Sequence, residues 1–213
     1  MTRLALLRGS WRAIIALGLV IALAKPAQAQ WAATAYVDNN VAGDVQSGRL
    51  GLGVSAGYYL RGGIGFELDA ELHGHFFRDE DVAYLQPPGV DLDTNAVVAS
   101  FNSVLPYCVR GAAGIWCPYA TAGLGVIRPT FEGFARTPGT DGFVRTQTDF
   151  ALNGGVGVTH ALTRWVGFRV DARYFHAFVD ESSTSGGYFE DYGYCRVSVG
   201  ITFGGPQSGQ PSP

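Results

Sequence analysis

The sequence predicts an all-β fold, an eight-stranded antiparallel up-and-down transmembrane β-barrel. First, apolar and polar side chains alternate along eight runs, as they do when successive residues point to opposite faces of a strand. Second, the connections between these runs are alternately long and short, which is typical of barrels with short turns on one side of a membrane and long loops on the other. Third, most of the 30 glycines fall on the inward parity, where a narrow interior leaves little room.

The first 29 residues have the features of a cleavable secretory signal peptide. They contain three early arginines, an uncharged apolar run over residues 13–24, and an Ala27-Gln28-Ala29 cleavage site. The apolar run is shorter than the roughly 20 residues that a membrane-spanning helix needs, which argues against an uncleaved anchor. We therefore expect a signal peptide over residues 1–29, a barrel over residues 30–204 and a flexible tail over residues 205–213.

The charge distribution argues against a nucleic-acid partner. The first 29 residues hold four of the 15 cationic residues and none of the 18 acidic ones, so the remainder is more acidic than the net charge of −3 suggests. No lysine follows Lys25, and no basic cluster is present. A protein with this balance is a poor candidate for binding a phosphate backbone. We also expect no cofactor.

The eight runs follow one another with connections of the expected lengths. They cover Trp31–Val37, Leu50–Leu60, Ile64–Phe77, Ala96–Cys108, Trp116–Ile127, Phe150–Ala161, Trp165–Val179 and Tyr188–Phe203. Long loops are predicted at residues 38–47, 78–94, 128–146 and 180–187, and short turns at residues 61–63, 109–115 and 162–164. An even number of strands returns both ends of the barrel to the side from which an exported chain enters the membrane.

Aromatic residues gather near the ends of the runs, where they would form girdles at the two membrane interfaces. The turn-end group is Tyr58, Phe66, Tyr107, Trp116, Trp165 and Phe203. The loop-end group is Phe76, Phe77, Phe131, Tyr174, Phe178, Tyr188 and Phe189.

Four segments resemble the outer-membrane-protein β-barrel domain family, which includes the opacity-like surface proteins. They are VVASFNSVLPY, PYATAGLGV, FALNGGVGVTHALTRWVGFRVDARYFH and RVSVGITF. The resemblance implies an eight-stranded barrel in the outer membrane of a Gram-negative-type bacterium, usually without enzymatic activity. It also implies contact with outer-membrane lipids, lipopolysaccharide and the barrel assembly machinery. One departure is that Phe203 is followed by GGPQSGQPSP, whereas such barrels usually end in the aromatic residue that the machinery reads.

Seven charged residues are predicted to face the interior. They are Glu67, Asp69 and Glu71 on the third run, Arg169, Asp171 and Arg173 on the seventh, and Arg196 on the eighth. The third and seventh strands lie opposite each other in an eight-stranded barrel, and unpaired charges in a narrow interior would each cost several kcal/mol. We therefore expect a salt-bridge network that plugs the lumen. The alternative is the gate of a narrow channel.

His73 and His75 share one parity of the third run and are candidates for a metal site. Zinc requires three or four ligands, and no further ligand is identified by spacing, so we predict no metal. We expect instead a hydrogen-bonded pair of histidines inside the barrel, near the interior charges.

Cys108 and Cys117 flank one short turn, and export makes a disulfide between them possible. Cys195 would then be left over, and the alternative is three buried free thiols.

A catalytic role is not predicted. Outer-membrane lipid A deacylases, one class of small barrel enzyme, place His and Ser two residues apart on a lipid-facing strand. Neither His160 nor His176 has a serine two residues later, and His176 is assigned to the upper aromatic girdle. A lipid A-modifying enzyme and a secreted soluble β-sandwich remain as alternatives to a structural barrel.

The loops are acidic, which predicts a solvated outer surface. Arg128, Arg136 and Arg145 are candidates for contact with lipopolysaccharide phosphates, since guanidinium groups bind phosphate well. The predicted function is therefore structural or surface interaction, as an adhesin or in envelope integrity, through loops whose extracellular ligand the sequence does not identify.

Overall fold

The computed structural model describes residues 30–60, 63–82, 90–111, 114–135, 142–179 and 191–204. The predicted signal peptide and the predicted tail lie outside the described residues.

Ten strands and one short helix make up the described chain. The strands are β1 (Gln30–Gly43), β2 (Leu50–Tyr59), β3 (Gly65–Gly74), β4 (Val90–Pro106), β5 (Val109–Gly111), β6 (Gly114–Ala135), β7 (Phe143–Thr146), β8 (Asp149–Ala161), β9 (Val166–Phe178) and β10 (Tyr192–Gly204). The helix, α1, is Asp79–Val82. Among the described residues, no helix has the length and hydropathy needed to cross a bilayer.

Eight of these strands close into one antiparallel barrel, which confirms the predicted fold. Each barrel strand pairs with its neighbours along the chain: β1 with β2, β2 with β3, β3 with β4, β4 with β6, β6 with β8, β8 with β9 and β9 with β10. The ring closes because β1 also pairs with β10, from Ala32 opposite Gly204 to Gly43 opposite Tyr194. β5 and β7 are short strands that pair only with β6 within the described chain.

Several strands extend further toward the loops than predicted. β1 continues to Gly43, although residues 38–47 resemble a loop in composition, because Asp38 and Asn40 keep the inward parity of the strand and are buried there. β4 begins at Val90 and pairs with β6 as far as Ala135, so both predicted loops around them contain strand. β7 adds a third strand along Thr130–Gly133. β10 begins at Tyr192, and the predicted start of this strand at Tyr188 lies outside the described residues.

The outer face of the barrel is apolar. Leu52 and Leu68 are more than half exposed in the isolated chain, and the other outward side chains follow the predicted parity. The six aromatic residues assigned to the turn-end girdle all lie exposed on this face: Tyr58, Phe66, Tyr107, Trp116, Trp165 and Phe203. Tyr174 and Phe178 are likewise exposed at the loop end. This distribution matches a surface that contacts lipid between two aromatic girdles.

Three of the aromatic residues assigned to the loop-end girdle point into the barrel instead. Phe76, Phe77 and Phe131 are each at least 95% buried, with the rings of Phe77 and Phe131 stacked 5.6 Å apart. They belong to an apolar cluster beneath the loops that also contains Val45, Val82, Val98, Ile127, Phe175, Tyr192 and Tyr194. Tyr188 and Phe189 lie outside the described residues.

The backbone at His75 explains why the parity changes there. His75 has a φ of 51°, in the left-handed region that residues other than glycine rarely adopt. This turn ends the regular alternation of β3, so His75 is exposed, with Nδ1 3.2 Å from Asp93 Oδ1, while Phe76 enters the interior. The prediction that His73 and His75 share one face is therefore wrong, and the interior histidine pair does not form.

Interior side chains lie in three layers. A small apolar cluster of Ala32, Tyr59, Val104 and Tyr119 lies at the turn end, and the larger apolar cluster lies at the loop end. Charged residues occupy the level between them.

Candidate functional site in the barrel interior

The structure brings all seven predicted interior charges together at the middle layer. β3, β9 and β10 position them, because alternate residues of each strand point inward. Each of the seven residues is at least 94% buried. We name this set the charge network; it comprises Glu67, Asp69, Glu71, Arg169, Asp171, Arg173 and Arg196.

Glu67 connects opposite sides of the barrel. Its carboxylate accepts hydrogen bonds from the guanidinium of Arg169 at 2.5 and 3.1 Å. The same carboxylate accepts a third hydrogen bond from Arg173 Nη2 at 2.9 Å. Since β3 and β9 are on opposite sides of the ring, these contacts cross the lumen, as the sequence predicted for strands three and seven.

Asp171 contacts all three arginines of the network. Arg173 Nε lies 2.8 Å from Asp171 Oδ1, Arg196 Nη2 lies 3.0 Å from the same oxygen, and Arg169 Nη2 lies 3.5 Å from Oδ2. Tyr119 donates a hydrogen bond to Asp171 Oδ2 at 2.5 Å and accepts one from Arg169 Nε at 2.6 Å. The phenol therefore joins the charge network to the apolar layer at the turn end.

Asp69 and Glu71 occupy the side of the network nearest the loops. Asp69 accepts a hydrogen bond from the Tyr36 hydroxyl and lies 3.4 Å from Arg173 Nη1. Glu71 Oε1 forms an ion pair with Arg196. The Arg196 guanidinium also lies 5.3 Å from the centroid of the Phe175 ring, which belongs to the loop-end apolar cluster.

Tyr36 and Tyr119 were not identified from the sequence as part of this site. Their signal was weak, because a tyrosine on the inward parity is also expected in an apolar core. Glycines on neighbouring strands make space for both rings: Gly53 faces Tyr36 and Gly157 faces Tyr119 so closely that a Cβ at either position would clash with the ring. Small residues beside large ones fill a narrow barrel without voids.

Two further ionisable residues adjoin the network: His73, which the sequence placed near it as half of a histidine pair, and Asp38, which the sequence did not assign to it. His73 Nε2 lies 3.1 Å from Glu71 Oε2, and His73 Nδ1 lies 3.4 Å from Asp38 Oδ1. Asp38 was missed because it falls in a stretch read as a loop. The inward parity of β1, continued by two residues past Tyr36, is the signal that would have found it.

The charge network itself contains four carboxylates and three guanidinium groups, and Asp38 adds a fifth carboxylate. Removing so many charges from water is costly, and mutual pairing with satisfied hydrogen bonds offsets that cost. The arrangement cross-links three strands through the lumen. Because the network consists of carboxylates and guanidinium groups, it contains no serine or cysteine that could act as a nucleophile.

The remaining predicted site residues lie away from this interior. The Sγ atoms of Cys108 and Cys117 are 1.99 Å apart, and Cys195 is a half-buried free thiol on β10. Arg128 is exposed on the outer face of β6, and Arg145 is exposed on β7, where its guanidinium lies over the ring of Phe143. Arg136 lies outside the described residues. These positions leave the lipopolysaccharide contacts and the disulfide as predictions.

The histidines discussed as catalytic candidates are found among aromatic rings. His160 stacks on Trp116 with ring centroids 4.1 Å apart, at the turn end. His176 lies on the outer face between Tyr174 and Phe178, with centroid distances of 6.5 and 4.7 Å, as assigned from the sequence.

Comparison with known proteins identifies the family. Residues 13–203 match the outer membrane protein beta-barrel domain family model. No curated protein sequence matches the chain.

Several solved outer-membrane barrels share the fold. Neisserial surface protein A is 17% identical, with a TM-score of 0.55, over 82% of this chain and 97% of that one. A major outer membrane protein of Thermus thermophilus is 13% identical, with a TM-score of 0.54, over 81% and 98%. Ail, the attachment invasion locus protein of Yersinia pestis, is 13% identical in its complex with the heparin analogue sucrose octasulfate, with a TM-score of 0.52, over 83% and 98%.

The family match covers most of the chain, and the closed barrel with its apolar outer face agrees with it. The protein is therefore located in the outer membrane, and it belongs to the outer membrane protein beta-barrel domain family.

Proposed function

We propose that this protein is a non-enzymatic outer-membrane barrel whose lumen is plugged and whose role is structural or surface interaction. The observation that carries the proposal is the ion-pairing of three buried arginines, Arg169, Arg173 and Arg196, with carboxylates across the full width of the interior. An eight-stranded barrel is only wide enough for side chains to fill its interior, and this one has apolar layers on both sides of the charge network.

The loop end gives further support for a closed lumen. The backbone N–H of Gln46 donates to the carbonyl of Phe76, and the N–H of Phe76 donates to the carbonyl of Thr94, each at 2.8 Å. Arg78 donates to the carbonyl of Gly43 at 2.6 Å. These bonds tie described residues of the connection after β1 to described residues of the connection after β3 at the loop end of the barrel, where Val45 is fully buried.

The surface-interaction role is supported by an ordered extension beyond the barrel rim. β4, β6 and β7 continue outward together as a three-stranded sheet over Thr130–Gly133 of β6, and β4 and β6 remain paired as far as Ala135. Phe134 and Val144 are exposed there, at 37% and 65%. Exposed apolar side chains on a rigid extension suit a protein contact. We infer that this sheet, which we name the β4–β6–β7 extension, is part of the contact surface.

The name of Ail links a barrel of the same fold to attachment and invasion. The structural similarity concerns the fold, so an adhesin role for this chain rests on its own extension. Asp91, Asp93 and Glu132 lie on this extension beside a single described arginine, Arg145. This balance favours a neutral or basic protein partner over a sulfated polyanion.

A plugged lumen is tested by planar bilayer recording on the refolded barrel. We expect no conductance steps from the wild-type protein. Steps that change in size when Arg169 or Glu71 is neutralised would establish the narrow channel and contradict the plug. The control is Arg145→Gln, which removes an arginine outside the barrel and leaves the lumen unchanged.

The absence of catalysis is tested by mass spectrometry of lipid A from cells with and without the protein. We expect identical spectra, since none of the histidines in the described residues hydrogen-bonds to a serine or cysteine side chain. A mass shift of one acyl chain would establish a lipid A-modifying enzyme and would direct attention to His160 and His176.

The contact surface is tested by cell binding. Bacteria that display the wild-type barrel are compared with bacteria that display Val144→Asp. The control is Leu50→Asn, at the loop end of β2, which is not part of the extension. We expect adhesion to host cells or to neighbouring bacteria to fall for Val144→Asp alone. Equal adhesion of all three strains would remove the β4–β6–β7 extension from the proposal.

A further inference from the structure

Asp38, Glu71 and His73 form a buried group at the loop side of the charge network, which we name the Asp38–Glu71–His73 group. The three residues are 2%, 1% and 4% exposed. One ligand atom from each lies within 4.8 Å of the other two. Ligands bound tetrahedrally at about 2.1 Å from a zinc ion are roughly 3.4 Å apart. Metal binding therefore requires the three side chains to close around the ion, with the imidazole, whose Nδ1 faces Asp38 and whose Nε2 faces Glu71, turning to present one nitrogen to both carboxylates.

The backbone leaves space for this group. Asp38 of β1, Gly51 of β2 and His73 of β3 are direct neighbours across the sheet. A Cβ on Gly51 would contact Asp38 Oδ1 and would lie 2.7 Å from His73 Nδ1. The aspartate and the imidazole can therefore meet over β2 only because residue 51 has no side chain.

Asp38 lacks the partners that a buried carboxylate requires. Neither of its oxygens has a hydrogen bond among the described residues, and His73 Nδ1 lies 3.4 Å from Oδ1. A buried carboxylate without hydrogen bonds costs several kcal/mol. Two residues along the same inward face of β1, Asn40 Oδ1 is also buried without a partner. A ligand at this position would satisfy groups that the protein leaves unsatisfied.

The charge balance indicates the sign and size of that ligand. Asp38 and the four carboxylates of the charge network face three guanidinium groups, which leaves two negative charges when all five carboxylates are ionised and His73 is neutral. A protonated His73 would compensate one of them. A divalent cation bound by a neutral imidazole would compensate both, and buried charges are stable only when compensated.

We propose that the Asp38–Glu71–His73 group binds one divalent transition-metal ion of the zinc class. Its donors are one imidazole nitrogen and two carboxylate oxygens, which suit such ions and leave a coordination position for water. Glu71 is suited to the role because Oε1 pairs with Arg196 while Oε2 faces His73 at 3.1 Å. Arg196 therefore orients the glutamate from the second coordination shell.

Such an ion would tie β1 to β3 across β2. Because Phe76 covers His73 from the loop side, with ring centroids 5.7 Å apart, the ion is expected to bind while the barrel folds. A ligand that binds only the folded state stabilises it. The site would thus add to barrel stability, and it is independent of the proposed surface role.

The test uses zinc as the probe. The full mature chain is unfolded in urea, refolded into detergent with zinc chloride, separated from free metal by gel filtration and analysed by atomic emission for bound zinc. We expect about one zinc ion per wild-type barrel. Asp38→Asn, which keeps the side-chain shape, and His73→Gln, which removes the imidazole, are expected to lose it, while the control His75→Asn is expected to retain it.

Folding of each variant is checked by its heat-dependent shift in electrophoretic mobility. Gly51→Ala keeps all three ligand residues but adds a methyl group in the space between Asp38 and His73. This variant is expected to lose zinc. Refolding the wild-type barrel in the presence of cobalt gives a second measurement that needs no variant. Cobalt bound with a low coordination number shows intense visible absorption bands. A wild-type barrel without zinc or cobalt, or equal zinc in wild type and His73→Gln, overturns the proposal and leaves His73 as an interior side chain between two carboxylates.

Discussion

Arg173 contacts three carboxylates at once, at 2.9 Å from Glu67, 2.8 Å from Asp171 and 3.4 Å from Asp69. Two of these acids have other cationic partners, because Glu67 also pairs with Arg169 and Asp171 also pairs with Arg196. Asp69 differs, because within the described chain it forms an ion pair with Arg173 and with no other cationic side chain. The consequences of losing Arg173 should therefore concentrate on Asp69.

We expect Arg173→Met to lower the free energy of unfolding by about 3–5 kcal/mol, because it leaves a buried carboxylate without its counter-charge. The midpoint of urea-induced unfolding of the refolded barrel measures the effect. Arg173→Met combined with Asp69→Asn should recover part of the loss, since the second change removes the unpaired charge. The control Arg145→Met, at an exposed position on β7, should stay within about 0.5 kcal/mol of the wild type. Equal losses for the single and double variants would contradict this account of Asp69.

The sequence predicted which charged residues form the network better than it predicted their hydrogen-bond partners. Parity alone placed Glu67, Arg169 and the other network charges on the inner face, because strand geometry fixes which side chains share a face. It did not show that Tyr36 and Tyr119 would donate hydrogen bonds to Asp69 and Asp171. Those contacts depend on the stagger between strands, which sets the height at which distant residues meet.

At the scale of elements, the end of β3 is determined by one backbone conformation. His75 adopts a φ of 51°, after which Phe76 and Phe77 enter the interior. Alternation predicted the strand up to His73 and then failed, because period-two counting assumes extended backbone throughout. Phe131 was misassigned for a different reason: residues 128–146 were read as a loop, so the inward parity of β6 was not continued as far as Phe131.

Replacement of His75 tests the importance of this turn. We expect His75→Gly to stabilise the barrel by up to about 1 kcal/mol, because glycine adopts a positive φ without steric cost. His75→Val should destabilise it, since a β-branched residue is strained in that region. Urea unfolding midpoints measure both changes. A valine variant as stable as the glycine variant would show that β3 ends for another reason.

The turn between β4 and β6 provides a second element-scale prediction. Cys108 and Cys117 lie on either side of it with Cα atoms 4.0 Å apart, and the backbone N–H of Tyr107 donates to the carbonyl of Pro118 at 2.8 Å. We expect protein isolated from the outer membrane to show about one free thiol per chain after denaturation, which is Cys195, and about three after reduction. Three thiols before reduction would contradict the disulfide. The bond should contribute about 2–3 kcal/mol to stability, which the reduced and oxidised unfolding midpoints measure.

At the scale of the whole molecule, the barrel followed from the sequence because its determinants are repeated. Each strand carries the same alternation, and each connection has a length that fits its side of the membrane. What the repeats do not encode is how far the strands rise above the membrane. β4 begins at Val90 and β6 ends at Ala135, in segments whose acidic and glycine-rich composition also fits a loop.

The outer face yields the last prediction. Val199 on β10 is 41% exposed in the isolated chain and pairs with Val37 and Val170, midway between Phe203 at the turn end and Cys195, which pairs with Tyr174. We expect Val199→Arg to destabilise the barrel in lipid vesicles by about 2–4 kcal/mol, the cost of an arginine at the bilayer midplane. Unfolding midpoints in urea measure it.

The matched control is Val144→Arg on β7, where the valine is 65% exposed but lies on the β4–β6–β7 extension, above the membrane. That change should be close to neutral, because the arginine remains in water. In a water-soluble barrel both substitutions would be tolerated, since arginine on a solvated strand carries no desolvation cost. The difference between the two variants therefore measures the lipid exposure of the middle of the barrel, and equal effects would contradict the membrane-spanning arrangement.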